Sequence, residues 1–291
     1  MLLVGAGGAA AARASFAQTS TPGAVRGGGG LLTGGHLDGR LRGGRPGHRG
    51  AHGGGRAHPC RIGRHALTAT LMLRLAEEGQ LSLEDPIADY IEGIPNGEQF
   101  TLRQLADMTS DVAGYTRSTQ FTDRFFAVPQ QVFTPEELVA VGVSESALFA
   151  PGARFDYSDT NYILLGLVVE QVTGQPVGEV LEEQIFDPLG LDETVWPGVS
   201  TEMPEPYAQG FSLQGDTATP EAPANATHWN PSWGATAGAL ISDVADLLAY
   251  GRAMGTGHTD LRRGLHRRGP HLHLQPRTLT TAHHDLLGCG S

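Results

Sequence analysis

Tyr157 and Asp159, set two residues apart in Tyr157-Ser158-Asp159, bring a phenol and a carboxylate into one short segment. A tyrosine titrates near 10 in water, and an adjacent cation favours the phenolate, which can take a proton from an alcohol. Cations of one kind are missing. The chain contains no lysine, so all 20 of its Lys and Arg positions are arginine, and a mechanism that uses a neutral lysine amine as proton acceptor is closed to it. Without such a neighbour Tyr157 is expected to stay protonated. Each residue also has a plain structural reading: Tyr157 as a half-buried tyrosine at a turn, and Asp159 as the N-cap of the helix that follows.

Other constellations are weaker. A Ser-His-Asp triad would have to use His228, the one histidine of residues 67–257, and no Gly-x-Ser-x-Gly elbow is present. The acid pairs Glu77-Glu78, Glu136-Glu137 and Glu182-Glu183 fall on helix surfaces and read as solvated faces. No glycine-rich loop between residues 67 and 257 has phosphate-cradling spacing, and Cys60 and Cys289 support neither a disulfide framework nor a zinc site. The expectation is no cofactor and no metal.

The elements that must position Tyr157 and Asp159 are mostly helical. Leu67, Leu71, Met72, Leu75 and Ala76 recur at helical spacing and stop before Gly79, which suits a left-handed cap. A short amphipathic piece follows at 87–91, and Thr101 caps a helix over 102–108. Thr134-Pro135-Glu136-Glu137 supplies a cap, a proline in the first turn and two early acids for a helix to about residue 141. Residues 162–172 form a strongly apolar helix closed by Thr173-Gly174, 177–185 form another, and Ser242-Asp243 caps a last one through 254. Residues 234–241 are small and apolar, a strand or a buried loop. Alternating strand patterns are otherwise scarce.

Charge and glycine divide the chain in three. Residues 1–66 carry nine Arg and one Asp, residues 67–257 six Arg and 28 acids, and residues 258–291 five Arg and two Asp, so the segments hold +8, −22 and +3. Eleven of the 12 histidines lie in the two ends. Glycine-rich, Arg-rich text with few large apolar residues does not recover the entropy of ordering its backbone, so both ends are predicted to be disordered. Residues 1–17 faintly resemble a secretory signal with a small-residue cleavage site, although Arg13 interrupts it and a positive start is missing. No apolar run approaches the ~20 residues of a membrane span. The −22 middle argues against a nucleic-acid partner.

Several of these segments carry a family resemblance. Leu67-Thr-Ala-Thr-Leu-Met-Leu-Arg-Leu-Ala-Glu-Glu-Gly-Gln-Leu-Ser-Leu-Glu-Asp-Pro86 resembles the helix and turn that follow the nucleophile in serine β-lactamase-related hydrolases, which include D-alanyl-D-alanine carboxypeptidases and class C β-lactamases. Thr101-Leu-Arg-Gln-Leu-Ala-Asp-Met-Thr-Ser110 is similar to the family's next helix. Phe155-Asp156-Tyr157-Ser158-Asp159-Thr160-Asn161-Tyr162 resembles its Tyr-x-Asn segment with Asp in the third place, and residues 233–254 are similar to the stretch before its last strands.

The resemblance implies an α+β fold, an antiparallel sheet with flanking helices beside a mainly helical region, here incomplete and mostly helical. It implies acyl transfer to a serine and hydrolysis of D-Ala-D-Ala peptides, β-lactams or small esters and amides, without a metal. It gives Tyr157 a catalytic place and Asp159 a substrate-binding place, and it points to a secreted or cell-envelope protein. Its Ser-x-x-Lys does not appear in Arg61-Ile62-Gly63-Arg64-His65-Ala66, the stretch just before Leu67, and its closing Lys-or-His-Thr-Gly strand is not recognisable after Gly257. The chain is thus expected to be an inactive relative, or else a non-catalytic module that binds cell-wall peptide, with residues 67–257 as the partial family domain.

Basic, glycine-rich ends bounding a well-patterned middle are also what a GC-rich gene gives when read out of frame. Resequencing the coding DNA tests that origin; an intact frame with these same ends would refute it.

Overall fold

The computed structural model describes residues 58–59, 64–147, 149–215, 218–256 and 277–278. Apart from residues 58–59, 64–66 and 277–278, the two ends lie outside the described residues, and with them the signal-like start, Cys60 and Cys289. In chain order the strands are β1 (His58–Pro59), β2 (Ile91–Glu92), β3 (Phe211–Ser212), β4 (Ala224–Asn225), β5 (Ile241–Ser242) and β6 (Arg277–Thr278). They pair as β1 with β5 and β3 with β4, both antiparallel, and β2 with β6, parallel.

Helices carry the core. They are α1 (Arg64–Glu77), α2 (Leu102–Ala106), α3 (Thr119–Ala127), α4 (Pro135–Val143), α5 (Asp159–Thr173), α6 (Val177–Leu181), α7 (Asp187–Leu189), α8 (Ala235–Gly238) and α9 (Val244–Thr256). Helix α5 is central. Every residue from 160 to 169 is buried, so it is apolar all round rather than on one stripe, and α1, α2, α4 and α8 pack against it.

Local chemistry starts and stops these helices as the spacing predicts. Thr101 and Thr134 each accept a hydrogen bond from the backbone three residues on, while Gln104 and Glu137 reach back to the cap, giving two capping boxes. Gly174 ends α5 at φ 68°, a conformation that costs a residue with a Cβ about 1–2 kcal/mol. Asp243 caps α9 by accepting from the Asp246 amide at 2.8 Å.

Five elements differ from the sequence reading. Helix α1 begins at Arg64, three residues before Leu67, because His65 extends the buried stripe of Thr68, Met72 and Leu75 one turn back. Helix α2 stops at Ala106, short of 108, since Met108 takes a left-handed φ of 65°. The 177–185 helix is α6 followed by a π turn over Glu182–Phe186, whose Gln184 carbonyl accepts from the buried Arg74 guanidinium at 3.0 Å. Residues 234–241 are neither simple strand nor loop, but the short helix α8 and the start of β5. Asp159 is not a cap either: Ser158 holds that place and Asp159 is the first residue of α5.

Two close approaches fix how α5 sits. A Cβ on Gly166 would meet Thr236 Oγ1 at 2.3 Å, and Thr236 is held in place by donating to the Tyr162 carbonyl at 2.7 Å. A Cβ on Gly142 of α4 would meet Thr160 Oγ1 at 2.2 Å and the Ala113 carbonyl at 2.8 Å. Gly166→Ala is therefore expected to destabilise the fold by about 1–3 kcal/mol in urea melts. Gly251→Ala, on α9 with nothing within 4 Å of its Cβ, is expected to be neutral or stabilising by about 0.5–1 kcal/mol.

Candidate functional site

The N-terminal turn of α5 gathers the site. Thr160 donates to the Ala113 carbonyl at 2.6 Å and accepts from the Tyr115 amide at 3.0 Å. Asn161, fully buried, donates to the Leu105 carbonyl at 3.1 Å and accepts from Ser110 at 2.9 Å. These bonds fasten the loop over residues 110–117 to the helix start. A buried Tyr115, donating to the Trp233 carbonyl, holds the loop from its other side.

Thr116 and Arg117 arrive at the site on that loop. Thr116 donates to Asp159 Oδ2 at 2.7 Å, and the Tyr157 phenol donates to Asp159 Oδ1 at 2.7 Å. The Asp159 carboxylate is thus held between two hydroxyls, one on each oxygen. Arg117 grips Asp156 with both terminal nitrogens, at 2.7 and 2.9 Å, and also donates to the Tyr157 carbonyl. The Asp156 carboxylate raises the Arg117 pKa, so this guanidinium is a fixed charge.

A third titratable group faces the pair from α1. The His65 ring lies tilted against Tyr162 with centroids 4.1 Å apart, and 5.6 Å from the Tyr157 ring. Its Nε2 stands 3.9 Å from Asp159 Oδ1. Tyr162 in turn donates to the Ala106 carbonyl at 2.8 Å, and burial raises its pKa, so the face beneath His65 is a neutral phenol.

The structure therefore brings Tyr157 and Asp159 together as the motif suggests, and adds His65, Thr116 and Arg117. Sequence reasoning missed those three. His65 had a signal, since it continues the 65, 68, 72, 75 stripe of α1; the loop pair had none, because a tertiary contact delivers them. His228 bonds Thr201 and lies edge-on to Tyr207, so no triad forms around it. A cavity of about 180 Å³ opens among Phe100, Asp111, Val143 and Phe149, and neither Tyr157 nor Asp159 lines it. Among the described residues no three His, Cys, Asp or Glu side chains gather to hold a metal.

Comparison with known proteins decides the kinship. The Beta-lactamase family matches residues 66–287. This chain belongs to that family. It is 31% identical over 160 residues to the putative penicillin-binding protein PbpX of Bacillus subtilis (strain 168), covering 54% of this chain and 37% of the relative. It is 31% identical over 153 residues to a putative D-alanyl-D-alanine carboxypeptidase of Escherichia coli (strain K12), covering 50% of this chain and 33% of that one. The chain thus matches about a third of the length of these curated relatives. Among solved structures, a D-stereospecific amidohydrolase from Streptomyces sp. superposes with a TM-score of 0.68 at 34% identity, over 71% of this chain and 63% of that one. The fold is of the β-lactamase and penicillin-binding-protein type, α+β with a dominant helical part, and the family is serine-hydrolase-like. No helix among the described residues is long and apolar enough to cross a membrane.

The grip of Arg117 on Asp156 holds the backbone that carries Tyr157, and a bidentate pair keeps more of its energy than a single exposed one. Arg117→Ala is expected to lower stability by about 1 kcal/mol in chemical denaturation. Arg103→Ala, which breaks a pair with Glu84 in which both side chains are more than half exposed, is expected to have no measurable effect.

Proposed function

We propose that this chain is a non-covalent relative of the serine-type D-peptide and D-amide hydrolases, one that holds D-amino-acyl ligands at Tyr157 and Asp159 without forming an acyl-enzyme. The observation that carries this reading is the hydrogen bond from the Tyr157 phenol to Asp159, in a chain with no lysine anywhere to take a proton from a serine. An unassisted alcohol near neutral pH is a poor nucleophile. A phenol already donating to a carboxylate is a poor base, because losing its proton would set two anions a hydrogen bond apart.

In this reading Tyr157, 42% exposed, presents its ring and hydroxyl oxygen to the ligand, and Asp159 accepts from the ligand's N–H. Arg117 and Thr116 keep both residues in place. In this reading residues 67–257 belong to the domain, inside the matched span of 66–287, and the relatives' names support a secreted or cell-envelope setting.

Purified protein is expected to hydrolyse neither nitrocefin nor p-nitrophenyl acetate above the buffer rate, and to gain no covalent mass with either. Saturation-transfer NMR should still show contact with small D-alanyl amides. Turnover, or an acyl adduct, removes the non-covalent reading; silence toward every D-alanyl ligand removes Tyr157 and Asp159 as a binding site.

A further inference from the structure

The cavity of about 180 Å³ away from Tyr157 and Asp159 is framed by three loops that backbone bonds tie in place. In the first, the Gly97 amide donates to the Ile94 carbonyl at 3.0 Å and the Gln99 amide to the Asn96 carbonyl at 2.8 Å, with Asn96 held at a left-handed φ of 56°. In the second, Asp111 takes a φ of 68°, and its Oδ2 accepts from the Phe149 amide at 3.0 Å, which fastens it to the third, residues 149–152. The Gly152 amide closes that corner by donating to the Thr109 carbonyl at 2.8 Å. Asparagine and aspartate tolerate the left-handed region better than most residues with a Cβ, so both turns suit their residues. A space already framed in this way does not have to be opened by the molecule that fills it.

Its lining divides by chemistry. Phe100, buried, and Phe149 supply rings, and Val112 and Val143 add aliphatic surface. Asn96, Gln99 and Glu145, all exposed, stand at the mouth. Two carboxylates, Asp111 and Glu145, line the space, and no arginine or histidine does. Arg154, whose guanidinium lies over the Phe149 ring 4.5 Å from its centroid, is not on the lining. Ser110, on the wall as well, spends its proton on Asn161 at 2.9 Å and so offers the space an acceptor. The amides of Asn96 and Gln99 can donate, but they carry no charge. An apolar cavity of about 150 Å³ takes one benzene ring, so about 180 Å³ suits a single ring with a short arm.

We infer that this cavity is a binding site for a small monocyclic organic cation, an aromatic ring on a short ammonium arm, with the ring against Phe100 and Phe149 and the ammonium at Asp111 and Glu145. The site shares no residue with the one proposed at Tyr157 and Asp159 and does not depend on it. The two are neighbours, since residues 110–113 of its wall belong to the loop whose Thr116 and Arg117 hold Asp159 and Asp156. At longer range the 28 acids and six Arg of residues 67–257 give a field that draws cations in. A hydrogen bond from an ammonium to a carboxylate is about twice as strong as a neutral one, so charge should sort ligands of one shape.

Phenethylamine, phenethyl alcohol and phenylpropionate share a ring and a short arm and differ in charge, and each is titrated by NMR into the full chain near neutral pH. Phenethylamine should shift the methyl resonances of Val112, Ala113 and Val143 and bind about tenfold tighter than phenylpropionate, with the alcohol between them. Its Kd should weaken several-fold from low to high salt, with little change for the alcohol. Asp111→Asn combined with Glu145→Gln should erase the preference for the amine and leave the alcohol bound as before. If that variant does not fold, Glu145→Gln alone, at an exposed position, should weaken phenethylamine by about two- to fivefold. Equal binding of amine and alcohol to the unaltered chain overturns the inference. So do shifts confined to Tyr157 and its neighbours, or the absence of binding by all three; none of these results bears on the D-alanyl ligands of the other site.

Discussion

The rest of this molecule hangs on the burial of one helix. Residues 160–169 of α5 are buried on every side, which requires neighbours on every side, and backbone close enough to leave no void. Glycine supplies that closeness at two places. Gly166 lets Thr236 rest against the helix, and Gly142 lets Thr160 reach α4 and the Ala113 carbonyl. Each threonine then spends its hydroxyl on a carbonyl, so neither of these two hydroxyls is left unmet by the tight contact.

The site follows from that packing. A helix held so firmly fixes its own first turn, and Asp159 lies in that turn with Tyr157 two residues before it. The loop over residues 110–117 is drawn in by Thr160 and Asn161, side chains whose first task is to seat the helix. Thr116 and Arg117 ride on it. Tyr157 thus stays 42% exposed and yet is oriented at both its carbonyl and its hydroxyl, a combination a free surface tyrosine does not have. Three aromatic rings, those of His65, Tyr157 and Tyr162, close the α1 side.

How much of this could be read from the residues depends on the range of the interactions. Capping is local, so Thr101, Thr134 and Gly174 announce the helix ends they form. The periodicity of residues 67–76 and the apolar run of 162–172 are local as well, and both became helices. The end of α2 was not legible, because the left-handed turn at Met108 answers to tertiary packing: its sulfur accepts from the Ser158 amide at 3.4 Å. The N-cap reading of Asp159 failed for a similar reason. Its oxygens are engaged by Tyr157 and by Thr116, a residue 43 positions away, and no short window contains that pairing. His65 was hidden by its company, since the glycine-rich text before it masks a stripe that runs unbroken into α1.

The absence of lysine changes meaning once these contacts are considered together. In composition alone it removes a base. In the structure, the face of Tyr157 turned toward α1 meets a histidine, and its hydroxyl turns toward a carboxylate. A phenol between a cation and a nucleophile is set up to accept a proton; a phenol bonded to Asp159 is set up to keep one. The carboxylate that receives the Tyr157 hydroxyl also receives that of Thr116, so one side chain ties the phenol to the loop over residues 110–117. The hydrogen bond to Asp159 thus does two things at once: it orients the phenol, and it occupies one of the carboxylate's acceptor directions.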